Sequence, residues 1–215
     1  MSDLTDLVDR IESLLKDASN DVWATTELDE ALRLALSELS GVVPARAVTT
    51  LDAVDDTWEY DISAISGLIA VVEVWYPYLS TDATYKRPHP AKWRMLDDST
   101  LLLEYEGGDP DAAYDLRIFY DKMQTITGLD SATATSVNEH EKVALVVGAA
   151  GYAAQAKARS TLGQVNVGAR TPEWYSAWSR ARLKQFWAKV YELAAREDAS
   201  EDSRIGWWQA DKWDV

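Results

Sequence analysis

The chain has no cysteine, only two histidines, and 21 Lys and Arg against 36 Asp and Glu in 215 residues. Without cysteine there is no disulfide framework, no thiolate nucleophile and no Cys-ligated metal. The two histidines do not make a zinc motif: His140 lies in Asn138-Glu139-His140-Glu141-Lys142 and lacks the second imidazole four residues on that HExxH requires. His89, in Lys86-Arg87-Pro88-His89-Pro90, reads as part of a loop between strands. No metal and no cofactor is expected. Long apolar runs are missing too. The most apolar stretch, residues 143–156, is shorter than the about 20 residues a bilayer crossing needs, so no membrane role is expected. The N-terminus, MSDLTDL, is acidic and enters helical periodicity at once, so it reads as neither a signal nor a transit peptide. The expectation is synthesis in the cytoplasm, with export only as part of something larger.

Basic charge is scarce and unevenly placed. Formal net charge is -15, and residues 1–60 hold four basic against fourteen acidic side chains. Residues 138–197 are slightly basic. This balance argues against duplex binding through a basic face, which works by counterion release from phosphates. It leaves open an acidic partner surface for the late helices, or self-association between unlike faces.

What the chain does have is a long stretch of small apolar residues. Residues 138–162, NEHEKVALVVGAAGYAAQAKARSTL, read as one buried helix, because a helix apolar on all sides belongs in a core. Gly148 and Gly151 each cost about 1 kcal/mol relative to alanine inside a helix, so the expectation is that they permit close packing. A phosphate-loop reading of GxxG fails for want of the preceding strand and the following Lys-Ser/Thr.

Other elements arrange themselves around that rod. Leu4, Leu7, Val8, Ile11, Leu14 and Leu15 repeat at helical spacing, as do Leu28, Ala31, Leu32, Ala35, Leu36 and Leu39. Thr25 or Thr26 is the expected cap of the second helix, and Gly41 with Pro44 its end. From about 46 to 121 the period changes to alternation. Strands are expected at 47–51, 57–62, 69–75, 93–96, 100–105 and 114–120, with turns at Asp97-Asp98-Ser99 and Gly107-Gly108-Asp109-Pro110. Residues 122–137 read as a link, and Thr171-Pro172-Glu173 opens a last helix with Trp174, Ala177, Trp178, Ala181, Phe186, Val190 and Leu193 on its stripe. The fold class is therefore α+β: one domain over 1–197, in which helices at 1–45 and 138–197 bundle around the Ala/Gly-rich helix and carry an inserted, mostly antiparallel sheet. Residues 198–215 form a separate C-terminal arm.

Catalytic readings are weak. Asp55/Asp56, Asp97/Asp98 and Glu104/Glu106 are paired carboxylates of the kind a glycosidase uses, but acids are abundant and turn or solvated-face roles explain them. Trp58, Tyr60, Trp75, Tyr76, Trp93 and Tyr105 read as sheet core or subunit contacts ahead of a sugar platform. Two features stand out. Lys86, Arg87, His89, Lys92 and Arg94 make a basic cluster in an acidic region, either a solvated loop or a contact for an acidic neighbour. The arm is a charged spacer ending in Ile205, Trp207, Trp208 and Trp213. Such an apolar load points to docking on another chain, ahead of folding back on its own domain.

The order of segments carries a resemblance. LLKDASNDVWATTELDEALRLALSELS, TWEYDI, VVEVWYP, LRIFYDKMQTITGLDSATATSVNEHEKVALVVGAAGYAAQAKA and TPEWYSAWSRARLKQFWAKVYELA follow one another over most of residues 4–195. This pattern resembles the head-to-tail adaptor (connector) proteins of tailed bacteriophages. The resemblance implies a virion neck component without enzymatic activity, made in the host cytoplasm. It implies a ring, usually of twelve copies, that binds the portal ring and the next neck or tail protein and lets double-stranded DNA pass. Other readings are a tail-completion or stopper protein of the same neck, a carbohydrate-binding module, and a helical scaffold with no nucleic-acid role.

Overall fold

The computed structural model describes residues 3–19, 21–81, 89–161 and 171–210, with side chains to Glu197. Two compact units emerge, one from residues 1–43 with 124–215 and one from 44–123. Chain order is α1 (Asp3–Leu15), α2 (Thr25–Val42), β1 (Ala45–Asp52), β2 (Glu59–Asp61), β3 (Leu68–Tyr78), β4 (Lys92–Met95), β5 (Thr100–Glu104), β6 (Asp115–Lys122), α3 (Glu139–Ser160) and α4 (Thr171–Ala210).

In the helical unit α3 is the hub, packed against α1, α2 and α4. Ala144, Leu145, Ala149, Ala150, Ala153 and Ala154 are buried along it. The two glycines do what the sequence suggests. A Cβ on Gly148 would stand 2.7 Å from Phe186 Cδ2, and one on Gly151 would stand 3.0 Å from Leu183 Cδ2. Each opening admits an α4 side chain, and the pairs Gly148/Phe186 and Gly151/Leu183 show that α3 and α4 run antiparallel. Asn138 caps α3: its Oδ1 accepts from the backbone N–H groups of His140 and Glu141, while Glu141 Oε2 accepts the Asn138 N–H at 2.7 Å. α1 and α2 contribute the stripes Leu7, Val8, Ile11 and Leu28, Ala31, Leu32, Ala35, Leu36, Leu39 to the same core.

Between α1 and α2, Asp17 accepts three backbone N–H groups, from Asp21, Val22 and Trp23, at 2.9 to 3.0 Å. These bonds hold its carboxyl below the usual carboxylate range. The next residue on that loop is anchored as well. Trp23 is buried, its Nε1 donates to Ala153 O at 3.4 Å, and its ring meets Tyr175 edge-on at 5.9 Å. The second helix begins differently from expectation. Ala24, not Thr25 or Thr26, holds the cap position, and Glu27 Oε2 accepts its backbone N–H at 3.0 Å.

The chain leaves this unit at Val43 and re-enters at Gln124, and the two ends are tied together. Gln124 Nε2 donates to Val43 O at 3.1 Å, and its backbone N–H donates to Ser40 Oγ, which itself donates to Leu36 O at 2.6 Å. Ser136 Oγ donates to Gln124 Oε1 at 2.5 Å. The aperiodic link is thus a hydrogen-bonded loop, continued by Thr127 and Thr135, whose hydroxyls lie 3.0 Å apart.

In the second unit all pairing is antiparallel, but the strands divide into two three-stranded sheets, β1-β6-β3 and β2-β5-β4, rather than one. The Asp97 turn closes the β4–β5 hairpin, its Oδ1 accepting from the Ser99 N–H and Oγ–H and its Oδ2 from Thr100 Oγ1. The glycine-rich turn at 107–110 instead carries the chain from one sheet to the other. Val74, Leu101, Leu103, Leu116 and Ile118 fill the core of this unit, with Tyr60 and Tyr76 buried beside them.

The last helix runs without interruption from Thr171 to Ala210, 40 residues, through the boundary set near 197 on composition. Residues 197–210 contain no proline and one glycine, Gly206, so nothing in them ends a helix.

Candidate interaction surfaces

The basic cluster divides on folding. Lys92 and Arg94 leave the same side of β4 and reach across to acids on and beyond β5. Lys92 Nζ is 2.5 Å from Glu106 Oε1, and Arg94 Nε is 3.2 Å from Glu104 Oε1. The pairing draws the Lys92 ammonium pKa up and the Glu106 carboxyl down from their ordinary values. Both pairs are exposed, with side-chain exposures of 72% and 82% for Lys92 and Glu106. His89 is half-buried, and its carbonyl accepts the Tyr76 N–H at 3.0 Å beside β3. Lys86 and Arg87 lie outside the described residues. An open depression of 430 Å³ lies beside the hairpin, lined by Trp58, Lys92, Leu103, Tyr105 and Glu106 among others.

The paired carboxylates take structural roles. Asp55 Oδ1 accepts the Ala112 N–H at 2.7 Å, Asp97 closes the hairpin, and Glu104 and Glu106 hold the β4 cations. His140 sits exposed in the first turn of α3. Among the described residues no three His, Asp or Glu side chains are grouped to hold a metal ion, and no helix is long and apolar enough to cross a membrane.

Of the arm residues, Ile205, Trp207 and Trp208 fall on the continuous helix α4, and Trp213 lies outside the described residues. The register of α4 on α3 fixes where that part of the helix stands. Asn138, the cap of α3, shares a shallow pocket with Leu193 and Arg196. Beyond Glu197, which still lines that pocket with His140 and Glu141, α4 therefore runs past the first residue of α3.

Two surface features escaped the sequence reading. On the β1-β6-β3 sheet the Arg117 guanidinium stands over three rings, 5.6 Å from Trp75, 4.8 Å from Tyr78 and 5.5 Å from Phe119, and donates to Tyr78 Oη at 2.6 Å. Exposed Val48 and Val72 lie on neighbouring strands. The β-strand alternation at Arg117 and Phe119 was the available signal. The other feature is a groove of 420 Å³ between α1 and α3, lined by Arg10, Ser13, Leu14, Lys16, Val143, Val146 and Val147. Val143 is 44% exposed there. Its sequence signal was an apolar position left over after the α3 core was filled.

No family model matches the chain, and no curated protein is similar to it. Among solved structures it is similar to a chain in "Neck of native GTA particle computed with C12 symmetry", at 14% identity and TM-score 0.30, covering 81% of this chain and 91% of that one. A chain in "Neck of empty GTA particle computed with C6 symmetry" aligns at 15% identity and TM-score 0.27, over 81% and 87% of the two chains. A third, in "Virion of native gene transfer agent (GTA) particle", aligns at 15% identity and TM-score 0.27, over 85% and 87%. The neighbours are thus chains of gene transfer agent particles, two of them from necks computed with cyclic symmetry.

Proposed function

We propose that this chain is a structural protein of the neck of a phage-like particle, assembling as a ring between portal and tail and continuing the DNA channel. The observation that carries the reading is the overhang of α4. A helix that outruns α3 and carries Ile205, Trp207 and Trp208 in its sequence calls for a surface on another polypeptide, because segments rich in tryptophan are characteristic of interfaces. The adaptor-like order of helices, inserted strands and Ala/Gly-rich helix supports the same reading, as does the strong acidity of the first 60 residues. A negative channel wall repels phosphates and lets DNA slide without the sticking that counterion release produces. Ring closure needs a heterologous contact, one face of a copy against a different face of the next. Nothing in this role calls for catalysis or a cofactor. The basic cluster of the sequence, Lys86, Arg87, His89, Lys92 and Arg94, the last two of them on the β4–β5 hairpin, is a second contact, for an acidic neighbour.

The test is co-sedimentation of the purified protein with the portal ring encoded in the same genome, with stoichiometry read from native mass. Saturable binding at one copy per portal subunit is expected. Recruitment only by a preformed neck, with no binding to the portal alone, would replace the adaptor reading with that of a tail-completion or stopper protein.

A further inference from the structure

The overhang and the α1/α3 groove fit one another, but not within one molecule. Arg196 lies level with the start of α3, so at about 1.5 Å per residue Ile205 stands about 14 Å beyond that end and Ala210 about 21 Å beyond it. Val143, the groove residue nearest that end, is about 7 Å further in the opposite direction. Residues 205–210 cannot reach their own groove while α4 is intact.

We propose that residues 205–210 of one copy dock in the α1/α3 groove of a second copy, Trp207 and Trp208 against Leu14, Val143, Val146 and Val147. Charge selects this face. Residues 1–60 hold only four basic side chains, and two of them, Arg10 and Lys16, line the groove. Lys16 forms no ion pair among the described residues, and Arg10 reaches Asp6 and Glu139 only at 3.6 and 3.9 Å. Residues 198–215 carry five acidic against two basic side chains. An acidic, tryptophan-bearing segment thus meets an apolar trough with basic margins. The contact is heterologous, because tail and groove are different surfaces, and repeated around an axis it closes a ring. The inference rests on the ring reading above and names its contact.

The absence of cysteine makes the contact directly testable. Full-length V143C and W208C variants are mixed and treated with a short bismaleimide. A heterodimer is expected from the mixture, and a ladder of oligomers from the double variant. The pair V48C and W208C, with Val48 on the β1-β6-β3 sheet, serves as control and should remain several-fold less crosslinked. Crosslinking at the control level, or an intramolecular product from the double variant, overturns the proposal. Adding the portal ring separates the two readings. If W208C then crosslinks to portal and never to V143C, the groove assignment falls while the neck reading stands; if the ladder forms and the portal is ignored, the neck reading fails and the contact survives.

Discussion

The two units reach close packing by opposite means. In the helical unit the tightest approach occurs where a side chain is missing, with Gly148 leaving room for the Phe186 ring. In the β unit large side chains meet one another, with Trp75 and Phe119 ring centroids 4.5 Å apart under the Arg117 guanidinium. A void shaped by backbone tolerates little change in either direction, whereas a face of tilted rings can shift. The largest expected effect is therefore in the helical unit. Phe186→Ala removes a fully buried ring and should cost about 3–5 kcal/mol in urea unfolding. Gly148→Ala adds a single methyl group and gains about 1 kcal/mol in helix propensity. The new methyl meets the Phe186 ring, and overpacking of this kind costs about 1–3 kcal/mol, so a net loss is expected. A Gly148→Ala protein more stable than the parent would show that α3 and α4 are not held this closely.

A middle-sized effect tests the clasp that separates the units along the chain. Ser40→Ala deletes the acceptor of the Gln124 N–H and should cost about 1–3 kcal/mol, since a buried donor is left without a partner. Hydrogen exchange should place the loss at Gln124 and the adjoining loop, with the β1-β6-β3 ladder unaffected. Protection lost equally in both units would mean that the clasp is not a local device.

What was legible in the sequence follows the same division. Helices could be read because their stripes and starts are local: Leu7 to Ile11, Leu28 to Leu39, and Thr171-Pro172-Glu173 signal themselves within a few residues. The strands were legible one by one but not as sheets. β6 joins β1 and β3 across tens of residues, and no local period says which strand will be its neighbour. Asp17 and Gln124 were invisible for a related reason, because their partners are backbone groups whose position exists only after folding. The groove and the overhang needed the register of α4 on α3, which Gly148 and Gly151 hint at but do not give.

Two carboxyls, one in each unit, respond to acid with opposite sign. Asp17, fixed by three backbone donors, has a carboxyl below its ordinary range, so its contribution is present above the unfolded-state pKa and fades as pH falls through the folded value. Asp17→Asn should be less stable than the parent at pH 7, with the gap closing only in strong acid. Asp115 faces Asp52 directly across β1 and β6, and burial followed by that neighbour pushes its carboxyl up. Its charge opposes folding at neutral pH, and the penalty is relieved as pH falls through the raised folded value. Asp115→Asn should therefore stabilise at pH 7, by about 0.2–1 kcal/mol for a like-charged cross-strand pair, and lose its advantage in acid. Urea midpoints from pH 3 to 7 check both signs, and a shared sign would break the contrast.

The smallest effect belongs to the exposed hairpin. Lys92→Ala removes an ion pair whose two side chains are mostly in solvent, and such pairs lose in ordering and screening most of what they gain in attraction. An unchanged urea midpoint is expected at 0.15 M salt. If the hairpin is the second contact proposed for the neck, the same variant should weaken association with an acidic neighbour, and more so at low salt, where screening is least. A drop in stability with association intact would reverse the assignment and make Lys92 a structural residue of the hairpin, leaving the α1/α3 groove as the contact on which assembly depends.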